Sequence, residues 1–160
     1  MGVRSNMSRR RAIIAGVACA VLAAVLPGQA WAATEQQAKD MVTKAIALYD
    51  EKGEAALAVF NEGKAAGFQD GQVYIVVQSR GPDGRVLAHA ANPKLVGTLL
   101  KDIQDPKGIK FAEDMSAQAT PEGAWFNYTW PDPVTGELAR KTSWFVLHDG
   151  LVFLAGIYAR

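Results

Sequence analysis

An alternating aromatic stretch at residues 123–133 constrains the fold more than any other feature of this chain. It carries two of the four tryptophans. Its side chains alternate with a two-residue period, so Phe126, Tyr128 and Trp130 fall on one face of a strand. Aromatic and β-branched residues favour a strand over a helix, and the proline-rich end terminates it. A second alternating segment follows at 138–147, so the two segments are predicted to form a β-hairpin.

One cation, Lys141, lies in the second strand of this hairpin, beside Ser143 and Trp144. A single cation next to an aromatic wall is typical of a receptor for a small anion. The alternative is an ordinary antiparallel sheet, in which the aromatic rings form the core and the lysine extends its ammonium group to water. The residues alone leave both interpretations open.

The N-terminal segment predicts a signal peptide at 1–32. Four arginines precede an apolar run of about fifteen residues at 12–26, and residues 30–32, Ala-Trp-Ala, have the small-x-small form of a cleavage site. The run is too short for a comfortable transmembrane helix. Residues 8–13 resemble a twin-arginine signal, although the aromatic residue that usually follows the arginines is missing. We therefore expect residues 33–160 to form one exported domain, periplasmic or secreted, with no membrane span in the mature chain.

Removal of the signal peptide changes the electrostatics of the chain. Four of the 17 basic residues and none of the 16 acidic residues precede position 33, so the mature chain has 13 basic and 16 acidic residues, a net charge of −3. A mildly acidic chain without a basic cluster provides no electrostatic footprint for nucleic acid. The single cysteine, Cys19, is removed with the signal peptide, so we expect neither disulfide bonds nor thiol chemistry.

Helical and strand periodicities follow one another along the mature chain. A capping box at Thr34 and Gln37 begins an apolar stripe of helical spacing. The predicted helices are Glu35–Lys52, Glu54–Asn61, one near 94–103 and one near 111–118, and the predicted strands outside the hairpin are 73–78, 85–90 and 151–158. Because strands outnumber crossover helices, the fold class is α+β with an antiparallel sheet of about five strands.

Several landmarks recur in a fixed order between residues 34 and 158. They are Tyr74, Asp83-Gly84, His89, Asn92-Pro93, Gly97, Asp105, Gly108, Phe111, the aromatic stretch 123–133, Lys141, Ser143-Trp144 and Gly156-Ile157-Tyr158. In this order the chain resembles a single Cache domain of the second type, a PAS-like extracytoplasmic sensor module of bacterial chemoreceptors and histidine kinases.

The resemblance implies a long N-terminal helix packed on one face of a curved antiparallel sheet, and a pocket on the other face closed by the helical segment before the hairpin. It also implies non-catalytic binding of a small organic acid, of the acetate, propionate or pyruvate class, without a cofactor or a metal. The candidate ligand-binding residues are Tyr74, His89, Tyr128, Trp130, Lys141 and Ser143.

Lys141 would neutralise the carboxylate, because its ammonium is a compact cation with three donors. Tyr74, Tyr128 and Trp130 would each offer an apolar wall with a hydroxyl or indole N–H group for orientation. The alternative for these aromatic residues is core packing.

His89 would donate a hydrogen bond to the acid, and it would make binding pH-sensitive if it titrated near neutrality. The alternative is a turn or capping histidine. Ser143 shares the strand face of Lys141 and would add a hydrogen bond.

No motif predicts an enzyme. The two histidines lie on different segments and do not form an HExxH pair, and the sequence has neither a Gly-x-Ser-x-Gly elbow nor a glycine-rich phosphate loop.

Receptors of the resembled family carry transmembrane helices and a cytoplasmic output domain, whereas this chain ends at Arg160. We therefore expect a free-standing, soluble exported module that signals through a partner such as a membrane sensor kinase, a chemoreceptor or a transporter. The alternative function is that of a periplasmic accessory subunit of a membrane kinase or transporter, with a vestigial pocket.

Overall fold

The computed structural model describes residues 33–159, together with Gly2. The predicted signal peptide, apart from Gly2, lies outside the described residues. Among the helices that are described, none combines the length and the apolar character needed to cross a membrane.

The described residues form three α-helices and one six-stranded antiparallel sheet. The helices are α1 (Glu35–Lys52), α2 (Ala55–Asn61) and α3 (Phe111–Gln118), and the strands are β1 (Gln69–Asp70), β2 (Val73–Ser79), β3 (Val86–His89), β4 (Ala124–Pro131), β5 (Leu138–His148) and β6 (Leu151–Tyr158). The strand order is β1-β2-β6-β5-β4, and β3 also pairs with β2. The α+β class is confirmed, and the sixth strand is the two-residue β1, which the sequence analysis did not anticipate.

Helix α1 has the predicted bounds because its N-terminal cap is encoded in four residues. The Thr34 side chain accepts a hydrogen bond from the Gln37 backbone N–H at 3.2 Å, and the Gln37 side chain accepts one from the Thr34 N–H at 2.8 Å. The helix ends at Gly53, which adopts a positive φ of 58° that favours glycine. Its buried stripe consists of Ala38, Met41, Val42 and Ala45.

The sheet is covered on both faces. On one face, Tyr49 of α1 and Phe60 of α2 pack edge-on against Phe153 of β6. On the other face, α3 lies over β2, and the side chain of Gln78 donates a hydrogen bond to the Ala112 carbonyl at 2.9 Å. Six of the seven residues of β2 are consequently buried, so both of its alternating sets belong to the interior.

The prediction of a helix near 94–103 is wrong. The segment instead contains two short 3-10 turns, Pro93–Leu95 and Leu100–Asp102. Gly97 lies between them at a φ of 88°, and its N–H donates to the Val86 carbonyl at 2.8 Å. The backbone of this segment therefore hydrogen-bonds to the start of β3 instead of forming helical hydrogen bonds.

A buried carboxylate, Asp105, fastens the segment before α3 to the edge of the sheet. Its Oδ1 accepts the N–H groups of Lys107 at 2.8 Å and Ile109 at 2.9 Å, and its Oδ2 accepts that of Thr129 in β4 at 3.3 Å. Burial raises the pKa of Asp105, but the N–H groups of Ile109, Lys107 and Thr129 outweigh burial and hold the pKa below its ordinary value. This attachment places α3 over the face of the sheet that carries Lys141.

Candidate functional site

A cavity of about 30 Å³ lies between the sheet and α3. Five of the six candidate residues line it, namely Tyr74, His89, Tyr128, Trp130 and Lys141. Twelve of its fourteen lining residues are buried, and the other two, Leu95 and Trp130, are half-buried. A cavity of this size holds about two water molecules, or a molecule of a few heavy atoms in their place.

Lys141 lies at the centre of a row of side chains across three strands. In the sheet register it pairs with Tyr128 of β4 on one side and with Tyr158 of β6 on the other. Its Nζ atom lies 3.8 Å from the ring centroid of Tyr74, 5.1 Å from that of Tyr158 and 5.9 Å from that of Tyr128. We refer to these three residues as the tyrosine cage. Ring faces attract a cation, and the attraction grows when water is excluded.

Lys141 is only 2% exposed. The alternative in which its ammonium extends to water is therefore wrong. Among residues 33–159, no carboxylate forms an ion pair with it. Burial lowers the pKa of Lys141 well below its ordinary value, and the carboxylate of Asp132 opposes this shift. The site therefore contains a desolvated amine for which the described residues provide no direct ionic partner.

The hydroxyl groups of the tyrosine cage are already engaged in hydrogen bonds. Tyr158 donates to the Pro131 carbonyl at 2.8 Å, so its oxygen accepts the hydrogen of the Tyr74 hydroxyl, which lies 3.2 Å away. Tyr74 therefore contributes its ring and an acceptor oxygen to the cavity, and its hydroxyl hydrogen is not available to a carboxylate. Burial is the main cause that raises the pKa values of all three cage tyrosines, which stay neutral at ordinary pH.

Ser143 is fully buried beside the cavity and does not line it. Its hydroxyl lies 3.0 Å from that of Tyr128. The structure thus places Ser143 behind the cage, where it positions Tyr128.

His89 is a neutral donor in this site. Its Nδ1 accepts the backbone N–H of Asn92 at 3.0 Å, so the proton of the neutral ring resides on Nε2. Its ring stacks on that of Tyr74, with the centroids 5.0 Å apart. Burial, reinforced by Lys141, lowers the pKa of His89 to about 3. His89 therefore does not titrate near neutrality, and the pH sensitivity that depended on this condition does not arise from it.

Gly156 is a site residue that the sequence analysis did not identify. It pairs with Ser143 in the register of β5 and β6. A Cβ atom at this position would collide with Ser143 Oγ and would lie 2.7 Å from Cε of Lys141. Gly156 is absent from the positive-φ glycines, so close packing against Ser143, Lys141 and the Thr142 carbonyl, and not the backbone conformation, requires glycine here. Neither this close approach nor the cage position of Tyr158 is visible in the sequence, because both depend on the register.

Helix α3 forms the apolar roof of the cavity. Phe111 stacks on Tyr128 with ring centroids 3.9 Å apart, and Met115 is fully buried against the cavity. The roof contributes carbon surface and no titratable group to the lining. The arrangement is chemically suited to hold one charged group near Lys141 and a short apolar chain under α3.

Comparisons with known proteins agree with this architecture. The Cache domain model matches residues 31–150. Methyl-accepting chemotaxis protein McpP of Pseudomonas putida is 35% identical over 88 residues, which are 53% of this chain and 16% of that protein. The chain thus spans less than a fifth of the length of that relative.

Solved structures share the fold over most of their length. A methyl-accepting chemotaxis protein from Vibrio parahaemolyticus superposes with a TM-score of 0.60 at 23% identity, covering 77% of this chain and 86% of that one. A Cache chemosensory domain studied for carboxylic acid recognition gives 0.57 at 27% identity, over 78% and 88%. A periplasmic sensor domain of a chemotaxis protein gives 0.56 at 25% identity, over 78% and 90%. These relatives are chemotaxis proteins and chemosensory domains. The match to the Cache domain model over most of this chain shows that it belongs to the Cache domain family.

Proposed function

We propose that this domain binds a small monocarboxylate in the cavity under α3 without converting it. The observation that carries the proposal is Lys141: its amine is buried beside a cavity and has no ion-pair partner among residues 33–159. A buried charge that lacks a partner is strongly unfavourable, and a bound carboxylate would supply that partner.

The remaining lining residues complement a short acid. The Nε2–H of His89 would donate a second hydrogen bond to the carboxylate, while the rings of Tyr74, Tyr128 and Trp130 would cover its carbon chain. Because Lys141 is the single basic side chain of the lining besides the neutral His89, a second carboxylate would be left without a cation. The site therefore favours monocarboxylates over dicarboxylates.

The similarity to known proteins supports this ligand class. The Cache chemosensory domain at 27% identity was studied for carboxylic acid recognition, and the chain shares its fold over 78% of its own length. The match to a periplasmic sensor domain supports a periplasmic location, reached after removal of residues 1–32. We propose that the bound state is read by a membrane partner, such as a chemoreceptor, a sensor kinase or a transporter.

The size of the ligand limits its affinity. A ligand with four heavy atoms, such as acetate, gains at most roughly 1.5 kcal/mol per atom, or about 6 kcal/mol in total. This corresponds to a dissociation constant of tens of micromolar at the tightest.

A thermal-shift series with small acids tests the proposal. Formate, acetate, propionate and pyruvate are compared with acetamide, a neutral analogue of acetate, at matched ionic strength. Because a ligand that binds only the native state stabilises it, we expect at least one acid at one hundred times its dissociation constant to raise the melting temperature on the order of 10 °C. Acetamide should give no shift. An unchanged melting temperature with every acid would reject the proposal and favour the accessory subunit with a vestigial pocket.

Substitution of Met115 by alanine should shift the preference towards longer acids. The variant removes part of the roof, so butyrate should bind at least about tenfold better relative to acetate than it does to the wild type, while the domain loses about 2–5 kcal/mol of stability. Met115→Leu conserves volume and should keep the wild-type preference. Met41→Ala provides a control for the loss of stability, since Met41 belongs to the buried stripe of α1, on the opposite face of the sheet. An unchanged ratio of butyrate to acetate affinity in Met115→Ala would place the ligand elsewhere.

A further inference from the structure

The electrostatic surroundings of Lys141 contain little negative charge. The titratable groups that face it are Tyr74 from β2, His89 from β3, Tyr128 from β4, Asp132 from the turn after β4, and Tyr158 from β6, whereas α3 contributes none to the cavity. All of these except Asp132 are neutral between pH 5 and pH 8. Asp132 acts from outside the ion-pair distance, and its carboxylate is held by the side chain of Gln72 and, at 2.8 Å, by the N–H of Val134.

We propose, on the basis of the proposed function, that the site binds one proton together with each carboxylate. The protein therefore gains the atoms and the charge of the undissociated acid. The carboxylate enters as an anion, and the neutral amine of Lys141 takes up one proton from the solvent. The bound state is then an ion pair of RCOO⁻ and Lys–NH₃⁺, whose atoms and charge sum to those of RCOOH and the neutral amine. No bond between heavy atoms is formed or broken.

The geometry explains why the proton and the acid arrive together. In the empty site the amine is desolvated by the sheet, the tyrosine cage and α3, so its charged form is disfavoured and its pKa is low. A carboxylate in the cavity restores the missing partner and raises that pKa again. A second anion, Asp132, is too firmly held by its own donors to approach the amine.

The consequence is a sensor that responds to the acid and the proton jointly. Above the pKa of Lys141 in the empty protein, occupancy depends on the product of carboxylate and proton concentrations, which is proportional to the concentration of undissociated acid. In that range the dissociation constant calculated from the total acetate concentration should rise tenfold per pH unit. The dissociation constant calculated from the concentration of undissociated acetic acid should not change with pH. Below that pKa, and above the pKa of acetic acid, the constant for total acetate should be flat.

Titration calorimetry with acetate from pH 6 to pH 10, in pairs of buffers with different ionisation enthalpies, tests this inference. We expect an uptake approaching one proton per acetate on the sloping part of the profile. Among the described residues, Asp132 is the anion that raises the pKa of Lys141, so Asp132→Asn should move the start of the sloping range to lower pH. His89→Gln should bind acetate more weakly, because it replaces a donor to the carboxylate, but each acetate that binds should still bring one proton, since His89 is neutral throughout.

The possible outcomes separate the two proposals. A dissociation constant that stays level from pH 6 to pH 10 without proton uptake would overturn the inference and leave the proposed function standing. Acetate binding to His89→Gln without proton uptake would also overturn it, because the proton would then reside on the histidine in the wild type. If neither acetate, propionate nor pyruvate binds at any pH, the proposed function itself fails.

Discussion

Replacement of Lys141 by methionine is expected to abolish acid binding and to stabilise the empty protein. Methionine fills a similar volume without an amine that must lose its proton or its water on burial, and replacement of buried ion pairs by well-packed apolar residues often stabilises a fold by about 1–4 kcal/mol. Removal of the cation leaves the carboxylate unpaired, so affinity should fall by at least about one hundredfold, or roughly 3 kcal/mol. Acid titrations by calorimetry and thermal unfolding without ligand measure the two effects.

Lys39→Met is the matched control for this experiment. Lys39 lies on α1 and places its ammonium 4.6 Å from the ring of Trp144, on the face of the sheet away from the cavity. The control loses a lysine and a cation–π contact but should keep the affinity for acid. Wild-type affinity in Lys141→Met would contradict the site, and a large loss of stability would show that Lys141 is needed for folding.

Alanine at position 156 should also disrupt the site, although it adds a single methyl group. The new Cβ would lie 2.7 Å from Cε of Lys141 and 2.8 Å from the carbonyl oxygen of Thr142. Overpacking of this kind typically destabilises by about 1–3 kcal/mol, and the lysine side chain must shift to relieve it. We expect the affinity for acid to fall at least about tenfold, because a displacement of the ammonium lengthens its contact with the carboxylate.

A double-mutant cycle separates the lysine from the other atoms that crowd this position. In a Lys141→Ala background the contact with Cε no longer exists, so the stability cost of Gly156→Ala should be smaller, with a coupling energy of about 0.5–3 kcal/mol. Equal costs in both backgrounds would show that Gly156 accommodates the backbone and Ser143 alone. Gly156→Ala with wild-type affinity would refute its role in placing the lysine.

Local signals in the sequence predicted the elements that have strong local determinants. The capping box at Thr34 and the glycine at 53 determine α1, and alternation determines β4, β5 and β6 within two residues of the expected bounds. The predicted helix near 94–103 does not form because Gly97 takes a positive φ and because the backbone of this segment pairs with β3. β1 was missed because two residues carry no periodic signal.

The candidate site was only partly visible in the sequence. Alternation placed Tyr128 and Trp130 on one face of β4, and the isolated charge of Lys141 in β5 predicted a site for a small anion. The positions of Tyr158 and Gly156 beside Lys141 depend on the register between β5 and β6, which strand patterns alone do not determine. The hydrogen bond that engages the Tyr74 hydroxyl and the low pKa of His89 depend on burial in the assembled fold, so the sequence could not indicate them.

The mostly buried lining of the cavity has a consequence for the rate at which a bound acid would exchange with solvent. Three hydrogen bonds hold α3 and the segment before it on the sheet. Thr129 N–H of β4 donates to the Asp105 carboxylate, and the side chains of Gln78 and Arg80 donate to the carbonyl groups of Ala112 and Ser116. The less buried part of the lining, beside Leu95 and Trp130, offers the most direct entrance. Under the proposed function, arrival and departure of an acid would be restricted to this entrance, or would wait for these hydrogen bonds to open, and both would be slower than free diffusion allows. Under the proposed function, the domain would then average over brief fluctuations in acid concentration and respond to the sustained level.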